Sequence, residues 1–383
     1  MVTARALGVD DYGTLGVAVA VFSIVLVLAD LGIGDAGVQR LTRRSGGAEE
    51  YRREVTPLRV WVGLPWVLVG AVVAALSQSS VVTACSILIM AVPLAVSVND
   101  RALRSRVAER YAATAGWSAV LLTTQWLGGL LGALWLGNAI ASAWSIAGLL
   151  LIAAALALGL GGALVLPSRM ACVAWVKRGA PFLVTAGAVV VYTRGDRVVV
   201  ALLDGVDAAG AYFAAYSLVM GFAVLGSALH TALLPRLLQE ARQLSPDRWG
   251  RRSRILVVAG LIPALGLLLL GPGLASFVYG EDYKEAGIIL QLLSPLVVLY
   301  LVNPFLATTL IAAGHQGWVS RVALANLALA VPLYPLLTIA VGVRGTAIAS
   351  VLVEALGTSL LIVGLRRRRA IPEPSGPPAT VDG

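Results

Sequence analysis

The stretch VYTRGDRVVV, residues 191–200, sets two arginines and an aspartate inside an otherwise apolar run. Arg194 and Arg197 are three residues apart, so on a helix they share one face. Two like charges on one face repel unless something negative joins them. A pyrophosphate would do so, because the flat guanidinium fork matches phosphate oxygens. The competing reading gives the counter-charge to Asp196, or to acids on neighbouring helices, as a structural network. Gly195 leaves room for a close helix or a ligand. Both readings stay open, and both depend on where this stretch sits.

Composition puts it in a membrane. The chain has 383 residues, 58% of them apolar and only 13% charged, with mean hydropathy +0.87. A soluble domain holds about 45–50% apolar and roughly 25% charged residues. There is too little polar surface here to cover a soluble globule. Apolar runs of about 20 residues, each long enough to cross a bilayer as a helix, recur along the chain. They do not alternate as the strands of a membrane barrel do. The fold class is an all-α polytopic membrane protein. Eleven spans are expected, at about 14–35, 57–77, 80–98, 113–135, 139–164, 181–203, 209–234, 255–279, 287–312, 318–341 and 344–365. Pro295, Pro304, Pro332 and Pro335 fall inside spans and predict kinks or breaks.

A charge at the centre of such a span costs roughly 2.5–3.5 kcal/mol, so each one should face water, a partner or a ligand. Arg194, Asp196 and Arg197 are therefore candidates to line a substrate cavity. Asp30 in LADLGIGDAG and Glu354 in IASVLVEALG are candidates for ion coupling or for the cavity wall. Asp30 could instead pair with an arginine, and Glu354 could equally be structural. Asp35 reads as a helix-end or interface charge, and His230 as a packing residue. Gln125, Gln291, Asn303 and Asn326 could hydrogen-bond sugars, against the competing reading of bonds between helices. Cys85, Cys172, His230 and His315 make neither a disulfide framework nor a metal pattern. No metal, cofactor or catalytic residue is expected. Gly159, Gly161 and Gly162 in LGLGGALVLP end a span rather than follow a strand, so they imply no dinucleotide site.

The basic residues orient the chain. Loops on one side hold 24 of them, grouped around 40–59, 101–110, 169–178, 236–254, 321 and 366–369, while the other side has only Arg5, Lys284 and Arg344. The rich side is expected to be cytoplasmic, with the C-terminus there too, in the inner (plasma) membrane of a cell. The net charge of +9 then reports topology and contact with anionic membrane lipids, and nucleic acid is not an expected partner. The proline-rich tail 370–383 reads as disordered.

A short phrase occurs twice. GVDDYG at 8–13 returns as GVDAAG at 205–210. From its first glycine to the next arginine after the following apolar helix is 32 residues in the first copy and 31 in the second (Arg40 and Arg236). The pattern predicts a two-fold internal duplication of parallel topology, a plan common in transporters. In the second copy the phrase reads as an outer turn between two helices. By analogy a helix, with about 25–40 residues including its flanks, should precede the first copy and bring the spans to twelve.

ARALGVDDYG (4–13), LADLGIGDAGVQRL (28–41), Asp196-Arg197, GVDAAGAYFAAYSL (205–218), LLPRL (233–237), FVYGEDYKEAG (277–287) and GVRGTAIASVLVE (342–354) share a common likeness. Together they resemble the polysaccharide (O-antigen type) flippases of the multidrug/oligosaccharidyl-lipid/polysaccharide exporter superfamily. The resemblance covers nearly the whole chain. It implies two pseudo-symmetric six-helix lobes around a central cavity. It also implies alternating access and export of an isoprenoid-pyrophosphate-linked oligosaccharide to the outer leaflet. The expected division is an N-terminal lobe at 1–165, a cytoplasmic linker at 166–180, a C-terminal lobe at 181–369 and the tail at 370–383. The expected partners are the lipid-linked oligosaccharide, membrane lipids and polysaccharide polymerase machinery. A drug/cation antiporter of the same superfamily is the alternative, favoured by a cavity dominated by acids. Lipid II flippases usually have two further helices. A membrane-embedded polysaccharide polymerase or glycosyltransferase would need sizeable outer loops, and those here are short.

Overall fold

The computed structural model describes residues 2–42, 44–158, 169–240 and 246–368, the stretches 225–240 and 246–253 in backbone only. Every element among them is helical. In chain order the helices are α1 (Val2–Asp30), α2 (Ile33–Leu41), α3 (Gly47–Gly63), α4 (Pro65–Leu76), α5 (Ser80–Met90), α6 (Val92–Val107), α7 (Tyr111–Leu136) and α8 (Ala139–Leu158). Then follow α9 (Arg169–Leu203), α10 (Val206–Glu240), α11 (Pro246–Tyr279), α12 (Lys284–Leu293), α13 (Pro295–Ala312), α14 (Gln316–Val341) and α15 (Val343–Arg368). Gly159, Gly161, Gly162 and the tail 370–383 lie outside the described residues, as does the side chain of His230.

Among the described residues, seven helical spans are long and apolar enough to cross a membrane, and two bent pairs raise the number to nine. The bent pairs are α5–α6, at 43°, and the segment Glu281–Leu293 with α13, at 48°. Proline explains both bends: Pro93 and Pro295 stand in the first turn of the second helix, where a missing N–H costs nothing. The two remaining expected spans are α9 and α10, each 35 residues and so about 52 Å long at 1.5 Å per residue. Hydropathy alone under-reads α9 because Arg194, Asp196 and Arg197 interrupt it. Pro304, Pro332 and Pro335 lie within helices that run on through them, so no break falls at these prolines.

The first repeat phrase also differs from expectation. GVDDYG is not a free turn; it lies within α1, where Gly8 takes φ 75° and ψ 176° and joins two helical pieces across a kink. Its counterpart Gly205 takes φ 101° and separates α9 from α10. Only glycine enters this region without strain, so both copies open on the same backbone device.

Helices α1–α8 pack largely on one another, as do α10–α15, and the two groups meet along α1, which lies against both α9 and α10. The contact is close within α1 and just beyond its C-terminus. A Cβ on Gly13 would lie 2.1 Å from the Val206 carbonyl oxygen, and one on Gly32 would lie 2.3 Å from the Gly179 carbonyl oxygen. Bare backbone is what lets these helices touch.

Beside the Gly32 contact, one ionic cluster fastens the arginine-rich end of the first group. Arg59 of α3, read from sequence as a loop charge, is only 2% exposed. Its Nε donates to Asp30 Oδ1 at 2.5 Å, Nη1 to Asp100 Oδ1 at 2.9 Å and Nη2 to Asn99 Oδ1 at 3.1 Å. The Thr56 hydroxyl donates to Asp100 Oδ2 at 2.7 Å, and the Gly34 amide to Asp30 Oδ2 at 3.2 Å. One guanidinium thus ties α1, α3 and α6 together. Arg59→Ala leaves two buried carboxylates without their cation and is expected to cost about 3–5 kcal/mol. Thermal unfolding in detergent should show this as a lowered midpoint. Arg59→Lys, which cannot fork between both acids, should recover only part of it. An unchanged midpoint in Arg59→Ala would mean the cluster carries no stability.

Candidate functional site

The charged stretch of α9 splits in two directions. Successive residues of a helix are about 100° apart, so adjacent Asp196 and Arg197 need not meet. Both are 1% exposed. Asp196 turns toward α10 and α15: its carboxylate accepts the Tyr212 hydroxyl at 2.8 Å and the backbone N–H of Arg197 at 2.8 Å. The Tyr212 hydroxyl also lies 2.9 Å from Ser350 Oγ, which fixes three helices together. The Arg197 guanidinium lies instead over the Tyr216 ring, 4.2 Å from its centroid, and 5.4 Å from that of Phe213. Nε, Nη1 and Nη2 of Arg197 are all buried, and none has a hydrogen-bond partner among the described residues.

That arrangement matters because an aromatic bed stabilises a cation by only about 0.5–2 kcal/mol. Leaving charged N–H donors unmet costs more. Arg194, on the same face, forms no ion pair among the described residues either. Both arginines line one cavity of about 150 Å³, with Tyr12, Ser23, Gln125, Trp126, Phe213, Tyr216 and Ser217 in its wall. The cavity lies between the two groups of helices, since α1, α7 and α8 supply one wall and α9 and α10 the other. The structure therefore brings Arg194 and Arg197 together and turns Asp196 away from them. Chemically, the cavity offers a pair of forked donors, hydroxyls, an amide and aromatic faces.

The remaining sequence candidates fall elsewhere. Glu354 of α15 is 6% exposed, and its Oε2 accepts from Asn303 Nδ2 at 2.9 Å. The Thr358 hydroxyl donates to Asn303 Oδ1 at 2.6 Å. No basic side chain pairs with Glu354 among the described residues. Asn326 packs on Gly357, and its Oδ1 is buried without a partner. Gln291 caps the Leu268 carbonyl at 2.7 Å and so bonds helix to helix. Asp30 belongs to the Arg59 cluster. Asp35 is exposed at the start of α2, beside an open pocket of about 710 Å³ that also holds Arg40 and Arg178. His315 precedes α14, and Cys85 and Cys172 are in no disulfide. No cluster of three or more His, Cys, Asp or Glu suited to a metal occurs among the described residues.

Sequence reading missed the aromatic bed and the burial of Arg59. A signal for the bed was present. AYFAAYSL spaces Phe213 and Tyr216 three apart, on one face of the helix that follows α9.

The profile of one protein family, described as polysaccharide biosynthesis protein, matches residues 1–240, well over half of the chain. No curated protein matches. Among solved structures, the chain is similar to an inward-facing multidrug resistance MATE family transporter of the MOP superfamily. Identity there is 14% and the TM-score 0.77, over 98% of this chain and 94% of that one. It is also similar to the lipid II flippase MurJ in an inward closed conformation, at 14% identity and TM-score 0.71, over 95% of this chain and 86% of that one. The outward-facing conformation of a MATE family transporter matches at 14% identity and TM-score 0.57, over 96% of this chain and 90% of that one. At such identity these structures speak for the fold alone, a two-lobe membrane transporter fold with a cavity between its lobes. With the family profile laid over that fold, the chain belongs to the polysaccharide biosynthesis protein family.

Proposed function

We propose that this protein flips an isoprenoid-pyrophosphate-linked oligosaccharide from the cytoplasmic to the outer leaflet of the plasma membrane, by alternating access. The observation that carries this reading is Arg197, a buried guanidinium with three unmet nitrogens, set beside Arg194 in the cavity between the lobes. A diphosphate supplies what both lack: two or more negative charges and a set of acceptor oxygens in the geometry of the fork. The hydroxyls and amide of the wall suit sugars. No bond is made or broken on this path, so the residues bind, neutralise and release. The division into lobes at 1–165 and 181–369, the intervening linker at 166–180 and the cytoplasmic C-terminus are part of the same proposal, supported by the basic loops.

Ion coupling we assign to Glu354 rather than Asp30. Asp30 shares Arg59 with Asp100, whereas Glu354 is buried with a single side-chain donor and no cation. A cavity lined by arginines rather than acids is the reason to place the drug/cation antiporter second.

Complementation in a strain lacking its own oligosaccharide flippase tests the reading. The protein should restore surface glycan, and Arg194→Ala/Arg197→Ala should abolish it. Arg197→Lys keeps the charge but loses the fork. It should lower transport by about 10-fold or more, the worth of one charge-assisted hydrogen bond. Normal glycan in the double variant, at normal membrane abundance, would remove these arginines from the mechanism. No restoration by the unaltered protein, together with cation efflux, would favour the antiporter.

A second expectation concerns Glu354→Gln, which keeps shape and polarity and loses the charge. Glycan flipping in right-side-out vesicles should become insensitive to collapse of the proton and sodium gradients. Continued dependence on either gradient would exclude Glu354 as the coupling group.

A further inference from the structure

GVDDYG and GVDAAG meet in space. With Gly8 aligned on Gly205, the pairs Asp10/Asp207, Gly13/Gly210 and Gly16/Phe213 are equivalent positions. In the fold each of these residues touches its own counterpart. The Asp10 and Asp207 carboxyls lie beside each other. A Cβ on Gly13 would lie 2.8 Å from the Gly210 nitrogen and 2.1 Å from the Val206 oxygen, and a Cβ on Gly210 would lie 2.1 Å from the Val9 oxygen. A Cβ on Gly16 would lie 2.6 Å from the Phe213 ring. Self-pairing at three levels, three residues apart, is what a two-fold axis running between α1 and α10 produces.

The next equivalent pair behaves differently. Val19 and Tyr216 both line the 150 Å³ cavity that holds Arg194 and Arg197. The two helices are therefore in backbone contact at Gly13 and Gly210, and the next turn of each lines the cavity. Further contacts seal the closed end. Tyr12 is 2% exposed, its ring centroid 4.9 Å from that of Phe213 and 6.3 Å from that of Tyr283. The Tyr283 hydroxyl donates to the Ala4 carbonyl at 2.9 Å, and Arg5 donates to the Phe277 carbonyl.

We propose that the two repeat phrases are the outer gate of this cavity. In the closed gate, glycine backbones of α1 and α10 interlock at Gly13/Gly210. In the open gate, the helices part along the Asp10/Asp207, Gly13/Gly210 and Gly16/Phe213 seam. The proposal rests on the transport reading above, but it is tested without transport.

The probe is a membrane-impermeant maleimide applied to the outer face of cells. The protein carries Ser217→Cys in the cavity wall, with Cys85 and Cys172 replaced by alanine. Gly13→Leu cannot fit the closed seam and should label about tenfold faster, the population shift that overpacking one state produces. Asp10→Lys leaves the glycines in place and draws the rim together through Asp207, so it should label several-fold more slowly. Gly116→Leu, where nothing lies within 4 Å of the added carbon, should match the parent. Parental rates in both Gly13→Leu and Asp10→Lys would overturn the gate. If Gly13→Leu does not reach the membrane, Asp10→Lys decides alone, and an unslowed rate there sinks the proposal. A gate that responds in a protein that restores no glycan would count against the flippase reading and not against the gate.

Discussion

The structure depends on one helix meeting two others with nothing but backbone between them. Within α1, Gly13 lies on Val206 and Gly210; just beyond its C-terminus, Gly32 and Gly179 meet, each so close that an added Cβ would fall within 2.5 Å of backbone on the facing segment. In lipid no hydrophobic force drives helix on helix, because the solvent is as apolar as the side chains. Close approach and the dispersion it brings must do that work.

Charge inside the bilayer is handled in two opposite ways, and the contrast gives the cavity its chemistry. Arg59 meets two carboxylates and an amide oxygen, and its fork is satisfied. Its burial is therefore a matter of architecture. Arg197 is buried to the same degree, yet it meets only ring faces while the adjacent carboxylate is spent on Tyr212. Had Asp196 been one residue earlier or later, the helix would have turned it by about 100° and the pairing could differ. The present phase keeps the acid in the lobe core and leaves the base to the cavity. A cation whose partner is withheld in this way is prepared for an anion that arrives and leaves.

Much of the fold was legible, because spans are set by hydropathy and length, and those are sequence properties. All eleven expected spans correspond to helices, and two proline-led bends fall where a first-turn proline fits. Arg194 and Arg197 were legible as a pair because three-residue spacing on a helix has one outcome. Other features needed coordinates. Arg59 looked like one of many loop arginines; its burial depends on Asp30 and Asp100, 29 and 41 residues away. Neutralisation of Arg197 by Asp196 was one of two readings the residues left open; the Asp196 carboxylate instead accepts the Tyr212 hydroxyl. GVDDYG was legible as a repeat but not as a kink within α1, since a glycine with positive φ can bend a helix or end it.

The repeat also explains a difference between its copies. On a two-fold axis a residue faces its own duplicate, so identical residues there leave either a gap or a clash. Two phenylalanines at the 16/213 level would occupy one space, and two glycines would leave it empty. The chain carries Gly16 in one copy and Phe213 in the other, with the ring filling the volume where the glycine's side chain is missing. At the 13/210 level the space between backbones is nil, and both copies keep glycine. The likeness of the two phrases sets counterparts face to face, and packing density between them decides where identity can be retained and where it must be broken. Phe213, the side chain that breaks it, also lies against the Arg197 guanidinium. The residue that fills the seam therefore also lines the charged cavity.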